Sequence, residues 1–558
     1  MPLLTQPPFF YSNREEQEER ERQLSKPAGN NQAAAAGIPP FALSLVGIWG
    51  AAIILRLGDL SARNLWTDEA WVALAALAAT PGEALTLGRS TPPFYTLAVW
   101  GLVQVFGGSE AILRSLSFAF GLGTVFLFWF IARRLASPAA ALLGLTLVAV
   151  SPVLVYFSKE LKQYSGDAFF AVLVVWLAEN LQEHPGKGGW LVLALSGVGA
   201  LGFSHGAVFV LPVILAVLWL NLPRSQRPWL AGLGALWGLA VAAFYVIFYR
   251  HQVDPQLVDY WAGEFPDFSG LVAFLAWLGG ALGRYFHYFF SYFFSVSCGW
   301  LWGVVFTALG LGALARPGPR RLLLYWGGPL LLTLAAAALH RYPFMARYNG
   351  SRLLLFSAPW LYLLAAIGLT AILSRLRRRP QRWPAPALAI LILITLQPLA
   401  LVQEDLHPQA NRQELKPLAA YLQSHLLPGD RIYVYYHAIY PFKYYFRGDL
   451  EGVCWGKSCV ETNLDLPASG PASPRRLWLV AAHFGELASL RQFATRLLGP
   501  NWREETIKRQ QNAALLLFVP QDCIMAAPQN ALPGAPRSVT SVPLTEKACP
   551  KTPLPPRP

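Results

Sequence analysis

The stretch NLWTDEAW, residues 64–71, places two adjacent carboxylates between aromatic side chains, just after the first long apolar run of the chain. Charged groups at membrane depth are costly unless they have a partner or a task. One interpretation is that Asp68 and Glu69 form half of an active site on the outer face of a membrane enzyme. The other is that they begin an interfacial helix whose N-cap is Thr67 or Asp68. The stretch by itself leaves both interpretations open.

The composition is that of an integral membrane protein. Of the 558 residues, 54% are hydrophobic and 14% are charged, whereas a soluble chain carries about 25% charged residues. Apolar runs of about 17–22 residues recur between positions 39 and 402, and about 20 apolar residues in a helix cross a bilayer. The net charge of +14 lies largely in short loops, where Lys and Arg set the orientation. We therefore expect membrane lipids, and no nucleic acid, among the partners.

The distribution of arginine among the loops predicts the topology. Cytoplasmic loops are enriched in Lys and Arg, so we assign about eleven membrane-spanning helices with the amino end inside. The segments 93–106 and 271–290 are placed on the outer membrane surface, because counting either as a span moves arginine-rich loops outside. The predicted spans are approximately 41–57, 112–131, 139–157, 166–182, 189–204, 206–222, 229–249, 292–314, 322–339, 352–373 and 384–402.

These spans divide the chain into four regions. The less apolar region after the last span predicts a small α/β domain outside the membrane. Its helix patterns lie at about 414–427 and 486–498, and its strand patterns at about 431–436, 477–481 and 513–519. Its Pro-rich continuation and the polar N-terminal segment are predicted to be disordered tails. The regions are a cytoplasmic tail (1–38), a transmembrane catalytic domain (39–402), an extracytoplasmic α/β domain (403–527) and a C-terminal tail (528–558).

Cysteine usage agrees with an outer position for the third and fourth regions. Four of the five cysteines lie beyond residue 402, and disulfides persist in oxidising compartments. Cys454 and Cys459 are close enough in sequence to bridge, and their spacing fits no common zinc or haem pattern. We predict a disulfide between them.

One charged loop between two predicted spans falls on the same outer face as the acidic pair. The side chains of Glu160, Lys162, Tyr164 and Asp167 can share an outer cavity with that pair. A carboxylate beside a substrate hydroxyl can remove its proton as a general base, and a cation can stabilise a phosphate leaving group. The alternative is that this loop is an ordinary charged turn.

A later outer segment, 340–352, breaks the charge rule by carrying arginines outside. Arg347 and Arg352 beside outer carboxylates suggest an anion-binding site that faces acid/base groups. The alternative is that they pair with the carboxylates or reach lipid phosphates. His205 ends one span and is either a substrate contact or a hydrogen-bonding residue at a helix end. The sequence has no glycine-rich phosphate loop, so a preactivated donor rather than ATP should supply the energy.

The order of these features resembles the GT-C glycosyltransferases that use polyprenyl-phosphate sugars. That group includes protein O-mannosyltransferases, lipid A aminoarabinose transferases and Rgt-like transferases. The resemblance covers roughly residues 40–400, and the order and spacing of its motifs are more specific than any one of them. The motifs are LWTDEAW (65–71), STPPFYTL (90–97), GGSEAILRSLSFAFG (107–121), SPVLVYFSKELKQYSGDAFFAVL (151–173) and RYPFMARYNGSRLLLFSAPWLYLLAAIGL (341–369).

The resemblance implies an inverting transfer of sugar from a polyprenyl-phosphate donor to a hydroxyl of a glycan, lipid or protein acceptor. Asp68 would be the general base, with Glu69 supporting it or holding a divalent metal ion, the one cofactor left open. Asp167 or Glu160 would be the second acid, and Tyr164 and His205 would be further substrate contacts. The implied contacts to the donor phosphate are Arg114, Lys162, Arg347 and Arg352.

Two departures from the family pattern concern donor recognition. Many relatives have histidine or lysine where this chain has Thr91 before Pro92, and the position of Lys162 is often arginine. Lysine keeps the charge but loses the bidentate fork of arginine.

Two other classes of function are compatible with the composition. A secondary transporter would place charged or broken-helix sites near the bilayer midplane and often shows repeated halves, whereas these ionisable groups cluster at one edge. A membrane-anchored binding protein would act through its outer domain and would leave the acidic pair without a role. The sugar-transfer hypothesis places the site and the α/β domain on the extracytoplasmic side of a plasma or inner membrane.

Overall fold

A computed structural model of the chain describes part of its length, and contacts divide it into two units after Gly47. The described part of the first unit is the beginning of one helix, and the sections below concern the second. The predicted tails, the last predicted span, Arg347 and Cys459 lie outside the described residues. The described residues are 40–58, 60–88, 91–251, 261–293, 299–314, 320–344, 350–377, 413–458, 461, 464 and 476–521.

Helices make up most of the described chain up to residue 377. Those before residue 185 are α1 (Pro40–Leu57), α2 (Thr67–Ala76), α3 (Pro81–Leu87), α4 (Pro93–Phe106), α5 (Glu110–Leu135), α6 (Pro138–Val150), α7 (Pro152–Ser158) and α8 (Tyr164–Glu183). The later ones are α9 (Lys187–Phe203), α10 (Ala207–Asn221), α11 (Arg227–Ile247), α12 (Leu271–Phe290), α13 (Trp300–Leu314), α14 (Arg321–Ala338) and α15 (Ala358–Arg377), with a 3₁₀ segment Gly350–Ser357 before α15.

Several of these helices are apolar enough to cross a membrane, which agrees with a polytopic membrane protein. Four meet both the length and the composition of a span within the described residues, and α6 with α7 makes a fifth if a bent pair is counted as one. Shorter apolar helices accompany them, so the predicted number of about eleven spans stays a prediction. The four are Glu110–Leu135, Arg224–Ile247, Arg321–Ala338 and Gly350–Arg375.

The predicted span 139–157 is a broken helix that bends by 51° between α6 and α7. Pro152 has no N–H to donate and its ring clashes with a continuing helix, so the break follows from the sequence. Ser151 begins the second helix by accepting a hydrogen bond from Leu154 N at 3.3 Å. Arg56 of α1 donates to the carbonyl of Ala149 at 2.7 Å, so a neighbouring helix supplies a hydrogen-bond donor to a carbonyl at the end of α6.

Helices α13 and α15 cross in close contact because both carry glycine at the crossing. A Cβ at Gly310 would overlap the carbonyl oxygen of Leu364, and one at Gly368 would overlap that of Phe306. Small residues let helix backbones approach closely in membranes. This crossing holds the 3₁₀ segment, and with it Arg352, against the rest of the bundle.

We expect Gly310→Ala to lower the stability of the protein by about 1–3 kcal/mol, because the backbone atoms in its way cannot move as a side chain can. Gly312→Ala is the matched control, since a Cβ there meets nothing within 4 Å. Thermal unfolding of the two variants in the same detergent measures the difference. Equal midpoints for both would contradict the close crossing.

Beyond residue 412 the chain forms a mixed sheet, here named the sheet region (residues 413–521). Its strand order is β2-β1-β3-β5-β4, with β1 parallel to β2 and β3, and β5 antiparallel to β3 and β4. The strands are β1 (Arg431–Val434), β2 (Cys454–Trp455), β3 (Leu477–Ala482), β4 (Trp502–Gln510) and β5 (Ala513–Pro520). The helices are α16 (Leu415–His425), α17 (Ile439–Tyr445) and α18 (Leu487–Leu498).

Alternate residues of the central strand β3 bury opposite faces of this sheet. Trp478 and Val480 pack in a core with α16 and α17, while Leu477 and Leu479 pack in a second core with α18. This two-sided burial explains why all of β3 is buried. The elements agree with the predicted α/β content, whereas the domain boundaries and the extracytoplasmic position stay predictions.

Candidate active site

The two acidic residues of the opening stretch face different surroundings. Helix α2 begins at Thr67 with Trp66 as its N-cap and without a side-chain cap, so the interpretation that Thr67 or Asp68 caps it is wrong. Asp68 remains partly exposed, with 29% of its side chain accessible. Glu69 is fully buried. Adjacent residues of a helix point about 100° apart, so one carboxylate faces the site and the other faces the protein interior.

Glu69 is held by Arg114 of α5 in a two-pronged ion pair. Nε of Arg114 donates to Oε1 of Glu69 and Nη2 donates to Oε2, both at 2.8 Å. Nη1 of Arg114 donates to the carbonyls of Leu60 and Arg63 at 2.9 and 2.8 Å. The arginine is fully buried and its donors are directed to protein oxygens. Arg114 therefore has no donor left for the phosphate contact expected from the sequence. Its contacts hold protein segments together.

Glu69 also fixes the loop between α7 and α8. Its Oε1 accepts a hydrogen bond from Leu161 N at 2.9 Å. Arg63, which the sequence interpretation overlooked, lies 4.0 Å from the same carboxylate and donates to the carbonyl of Lys159 at 2.7 Å. One buried carboxylate thus ties α2, α5 and this loop together. The signal available in the sequence was Arg63 itself, a basic residue shortly before an acidic pair.

The charges around Glu69 decide its ionisation and its fitness as a metal ligand. Burial alone would raise the pKa of Glu69, but the nearby charges of Arg114 and Arg63 outweigh burial and hold the pKa below its usual value. Both carboxylate oxygens already accept hydrogen bonds from Arg114. Among the described residues, no three His, Cys, Asp or Glu side chains are grouped as metal ligands. The pair Asp68–Glu69 therefore does not fit the divalent metal ion that the resemblance left open.

Asp68 lies in a cluster of cations and a tyrosine contributed by three segments. Oδ2 of Asp68 is 3.5 Å from Nη2 of Arg352, in the 3₁₀ segment before α15. The guanidinium of Arg352 lies over the ring of Tyr164, 5.4 Å from its centroid. Nζ of Lys162 lies 6.0 Å from the ring centroid of Trp71. Burial, and then the positive charge of Arg352, lowers the pKa of Lys162, while the charge of Asp68 raises it.

Glu160 is the second acid of this cluster. It is fully buried, and within the described parts of the chain neither of its carboxylate oxygens has a hydrogen-bond partner. The same holds for Nε of Arg352. Buried polar atoms are nearly always hydrogen-bonded, so the unpartnered atoms of Glu160 and Arg352, which carry opposite charges and act on each other, mark a place where a polar ligand fits.

Asp167 and His205 meet at a turn beside the cluster. Oδ1 of Asp167 accepts hydrogen bonds from Ser204 Oγ at 2.5 Å and from Gly206 N at 3.3 Å. These bonds tie Asp167 to the turn between α9 and α10. Burial lowers the pKa of His205 to about 4, so its imidazole is neutral at physiological pH. Its Nδ1 lies 3.4 Å from Gln163 Nε2.

The sheet region is bonded directly to the segment that carries Asp68. Leu65 N donates to Tyr445 Oη at 2.7 Å, and Thr67 Oγ1 donates to the carbonyl of His437 at 2.7 Å. The rings of Trp71 and Tyr440 stack with centroids 5.2 Å apart and planes 3° from parallel. The sequence interpretation did not connect these segments, because the residues lie more than 300 positions apart and only folding brings them together. The predicted disulfide stays a prediction, since Cys459 lies outside the described residues.

Comparisons with known proteins bear on the family and the fold of this chain. Residues 90–248 match the family described as dolichyl-phosphate-mannose-protein mannosyltransferase. The fold is similar to that of ArnT from Cupriavidus metallidurans, solved bound to undecaprenyl phosphate. The two are 14% identical, with 88% of this chain and 99% of that chain covered and a TM-score of 0.50.

A second solved structure with a similar fold is the Archaeoglobus fulgidus oligosaccharyltransferase in its apo form. It is 12% identical, with 82% of this chain and 71% of that chain covered and a TM-score of 0.50. A comparison with curated proteins found no match. The family match and the two fold similarities confirm the resemblance drawn from the motifs. The chain therefore shares the fold of these two solved proteins, and residues 90–248 are similar to the mannosyltransferase family, as the resemblance to GT-C glycosyltransferases predicts.

Proposed function

We propose that the protein is a glycosyltransferase that moves a sugar from a polyprenyl-phosphate donor to an acceptor hydroxyl on the extracytoplasmic face of the membrane. The observation that carries this proposal is the meeting of Asp68, Lys162 and Arg352, from three separate segments, in one cluster. The family description names a dolichyl-phosphate sugar, and the ArnT structure holds undecaprenyl phosphate. The acceptor is a glycan, a lipid or a protein.

The proposed reaction is a single displacement at the anomeric carbon. Asp68 removes the proton of the acceptor hydroxyl as its oxygen attacks the anomeric carbon. The bond between that carbon and the phosphate oxygen breaks, and the polyprenyl phosphate leaves with the bonding electron pair. Lys162 and Arg352 stabilise the charge that develops on the phosphate. One displacement without a covalent intermediate inverts the anomeric configuration.

Glu160 and Tyr164 support the cations in this mechanism. The charge of Glu160 acts on both Lys162 and Arg352, so it keeps two like charges together before the donor binds. The ring of Tyr164 lies under the guanidinium of Arg352 and limits its rotation. We infer that donor binding replaces the weak contact between Arg352 and Asp68, which frees the carboxylate for the acceptor hydroxyl. Arg347, implied as a further phosphate contact, lies outside the described residues.

The experiment that tests the function supplies labelled polyprenyl-phosphate sugars, one at a time, to membranes that contain the protein. The expected result is protein-dependent release of polyprenyl phosphate from at least one donor, with the label moved to a membrane component or to water. Membranes without the protein are the control. Uptake of labelled donor or free sugar into sealed vesicles, without cleavage of any donor, would instead support a transporter.

The pH dependence of donor use follows from the position of Lys162. Since burial lowers its pKa, the ammonium form is lost as pH rises through a value below the usual 10.5. We expect kcat/KM for the donor to fall across this alkaline range, because the free enzyme loses a cation that holds the phosphate. Lys162→Arg keeps the charge and should remove the fall. An identical alkaline fall in both proteins would show that another group titrates.

A further inference from the structure

The sheet region presents two imidazoles beside Asp68 that the mechanism above does not use. The rings of His437 and His483 lie with centroids 5.3 Å apart and planes at 75°. His437 is half-buried and His483 is exposed. Within the described part of the chain, the ring nitrogens of these two residues make no hydrogen bond, while the carbonyl of His437 accepts one from Thr67, the residue before Asp68. Two polar side chains with open donors and acceptors therefore stand next to the candidate base.

The electrostatics place His437 within range of Asp68. Burial lowers the pKa of His437, the neighbouring His483 lowers it further, and the charge of Asp68 opposes both. A neutral imidazole offers one N–H donor and one nitrogen acceptor. Sugar hydroxyls also donate and accept, so an imidazole can pair with them in either role.

The backbone of His483 is held in a conformation that non-glycine residues rarely adopt. Its φ is +54°, and Asn512 opposite has φ +49°. The amide of His483 donates to the carbonyl of Asn512 at 3.0 Å, which links the end of β3 to the turn between β4 and β5. Such backbone strain persists only where the surroundings enforce it, and it is concentrated at functional sites. Here it directs an imidazole from a strand end towards the other histidine.

The geometry points to His437 and His483 as an acceptor subsite that binds a hydroxyl-rich sugar unit, so that the acceptor is a carbohydrate. This inference rests on the proposed function and deepens it. Lys162 lies in the loop before α8 and Arg352 in the 3₁₀ segment before α15, whereas His437 and His483 belong to the sheet region, so donor phosphate and acceptor sugar are held by different segments of the chain. The exposed ring of Tyr436, whose centroid is 5.0 Å from that of His437, adds an apolar face for a sugar ring.

The test uses the full-length protein with a donor that it cleaves, and methyl glycosides of glucose, galactose, mannose and arabinose as acceptor probes. Two products are measured, label on the methyl glycoside and label released to water. We expect at least one glycoside to accept the sugar. His483→Gly should lower the ratio of glycoside transfer to hydrolysis by about fivefold to tenfold, the effect of one lost hydrogen bond.

Glycine relieves the positive φ, so His483→Gly should unfold at a temperature no lower than wild type, which separates loss of binding from loss of fold. His425→Ala, at the far end of α16, is the matched control and should leave the ratio unchanged. Donor hydrolysis with no transfer to any glycoside, or an unchanged ratio in His483→Gly, would overturn the acceptor subsite alone. Absence of donor cleavage in the wild-type protein would overturn the proposed function as well.

Discussion

Asp68→Asn is expected to lower the rate of sugar transfer by about 10²–10⁴-fold, the usual contribution of a general base. Asparagine keeps the size and the helix position of the side chain, but it cannot take the proton of the acceptor hydroxyl. Because the side chain is partly exposed and its one described ion pair is a 3.5 Å contact with Arg352, the fold should tolerate the change. The measurement is single-turnover transfer at saturating donor.

The control for this prediction is Asp449→Asn. Asp449 is an exposed residue of the sheet region, and within the described residues its carboxylate accepts one hydrogen bond, from Glu451 N at 2.8 Å. Asp449→Asn removes the same charge from the protein without changing the cluster around Asp68, so sugar transfer should remain at the wild-type rate. Wild-type rates in both variants would remove Asp68 from the mechanism.

Glu69→Gln is expected to destabilise the protein by about 3–5 kcal/mol, the cost of breaking a buried ion pair from one side. The change leaves the Arg114 guanidinium buried without a counter-charge and weakens the hold on Leu161 N. The 159–163 loop would then lose its anchor, so transfer should fall through displacement of Lys162. Unfolding midpoints in detergent measure the loss of stability.

Glu160→Gln is the matched control for this second prediction. Both glutamates are fully buried, but within the described residues Glu160 has no hydrogen-bond partner, whereas Glu69 has three nitrogen donors. Neutralising Glu160 should therefore cost much less stability. A second check is Arg114→Leu, which should lower the free energy of unfolding far less in the Glu69→Gln background than in the wild-type background. Equal losses of stability in Glu69→Gln and Glu160→Gln would contradict a stabilising ion pair between Glu69 and Arg114.

The sequence identified the region of the site but not the separate roles of the residues within it. The stretch 64–71 marked two acids, and only the helix geometry shows that Asp68 faces the cluster while Glu69 faces Arg114. No pattern in the sequence identified Glu69 as the partner of Arg114, since the two residues lie 45 positions apart. The charge of a residue indicates which groups it can bind, but the fold determines whether its partner is a ligand or another residue of the protein.

The sheet region shows the same limit for secondary structure. Strands β3 and β5 were predicted because their sequences are apolar runs, whereas β4 was missed because its residues are mostly polar. Strand β4 lies at the edge of the sheet, where charged residues discourage pairing with other chains. Helix α17 was missed because IYPFKYY contains a proline and aromatic residues and lacks a helical pattern. The predicted Arg431 strand and the two longer helices were found because their apolar periodicity is clear.

The proposed mechanism requires that Lys162 holds the donor phosphate while Asp68 acts on the acceptor beside it. The direct measurement is the equilibrium affinity of undecaprenyl phosphate for the wild-type protein, Lys162→Met and Asp68→Asn. A charge-assisted hydrogen bond contributes about 1.5–3 kcal/mol, so Lys162→Met should bind about 10- to 100-fold more weakly. Asp68→Asn should bind at least as tightly as wild type, because it removes a negative charge beside the phosphate. Equal affinities for wild type and Lys162→Met, or weaker binding by Asp68→Asn, would contradict it.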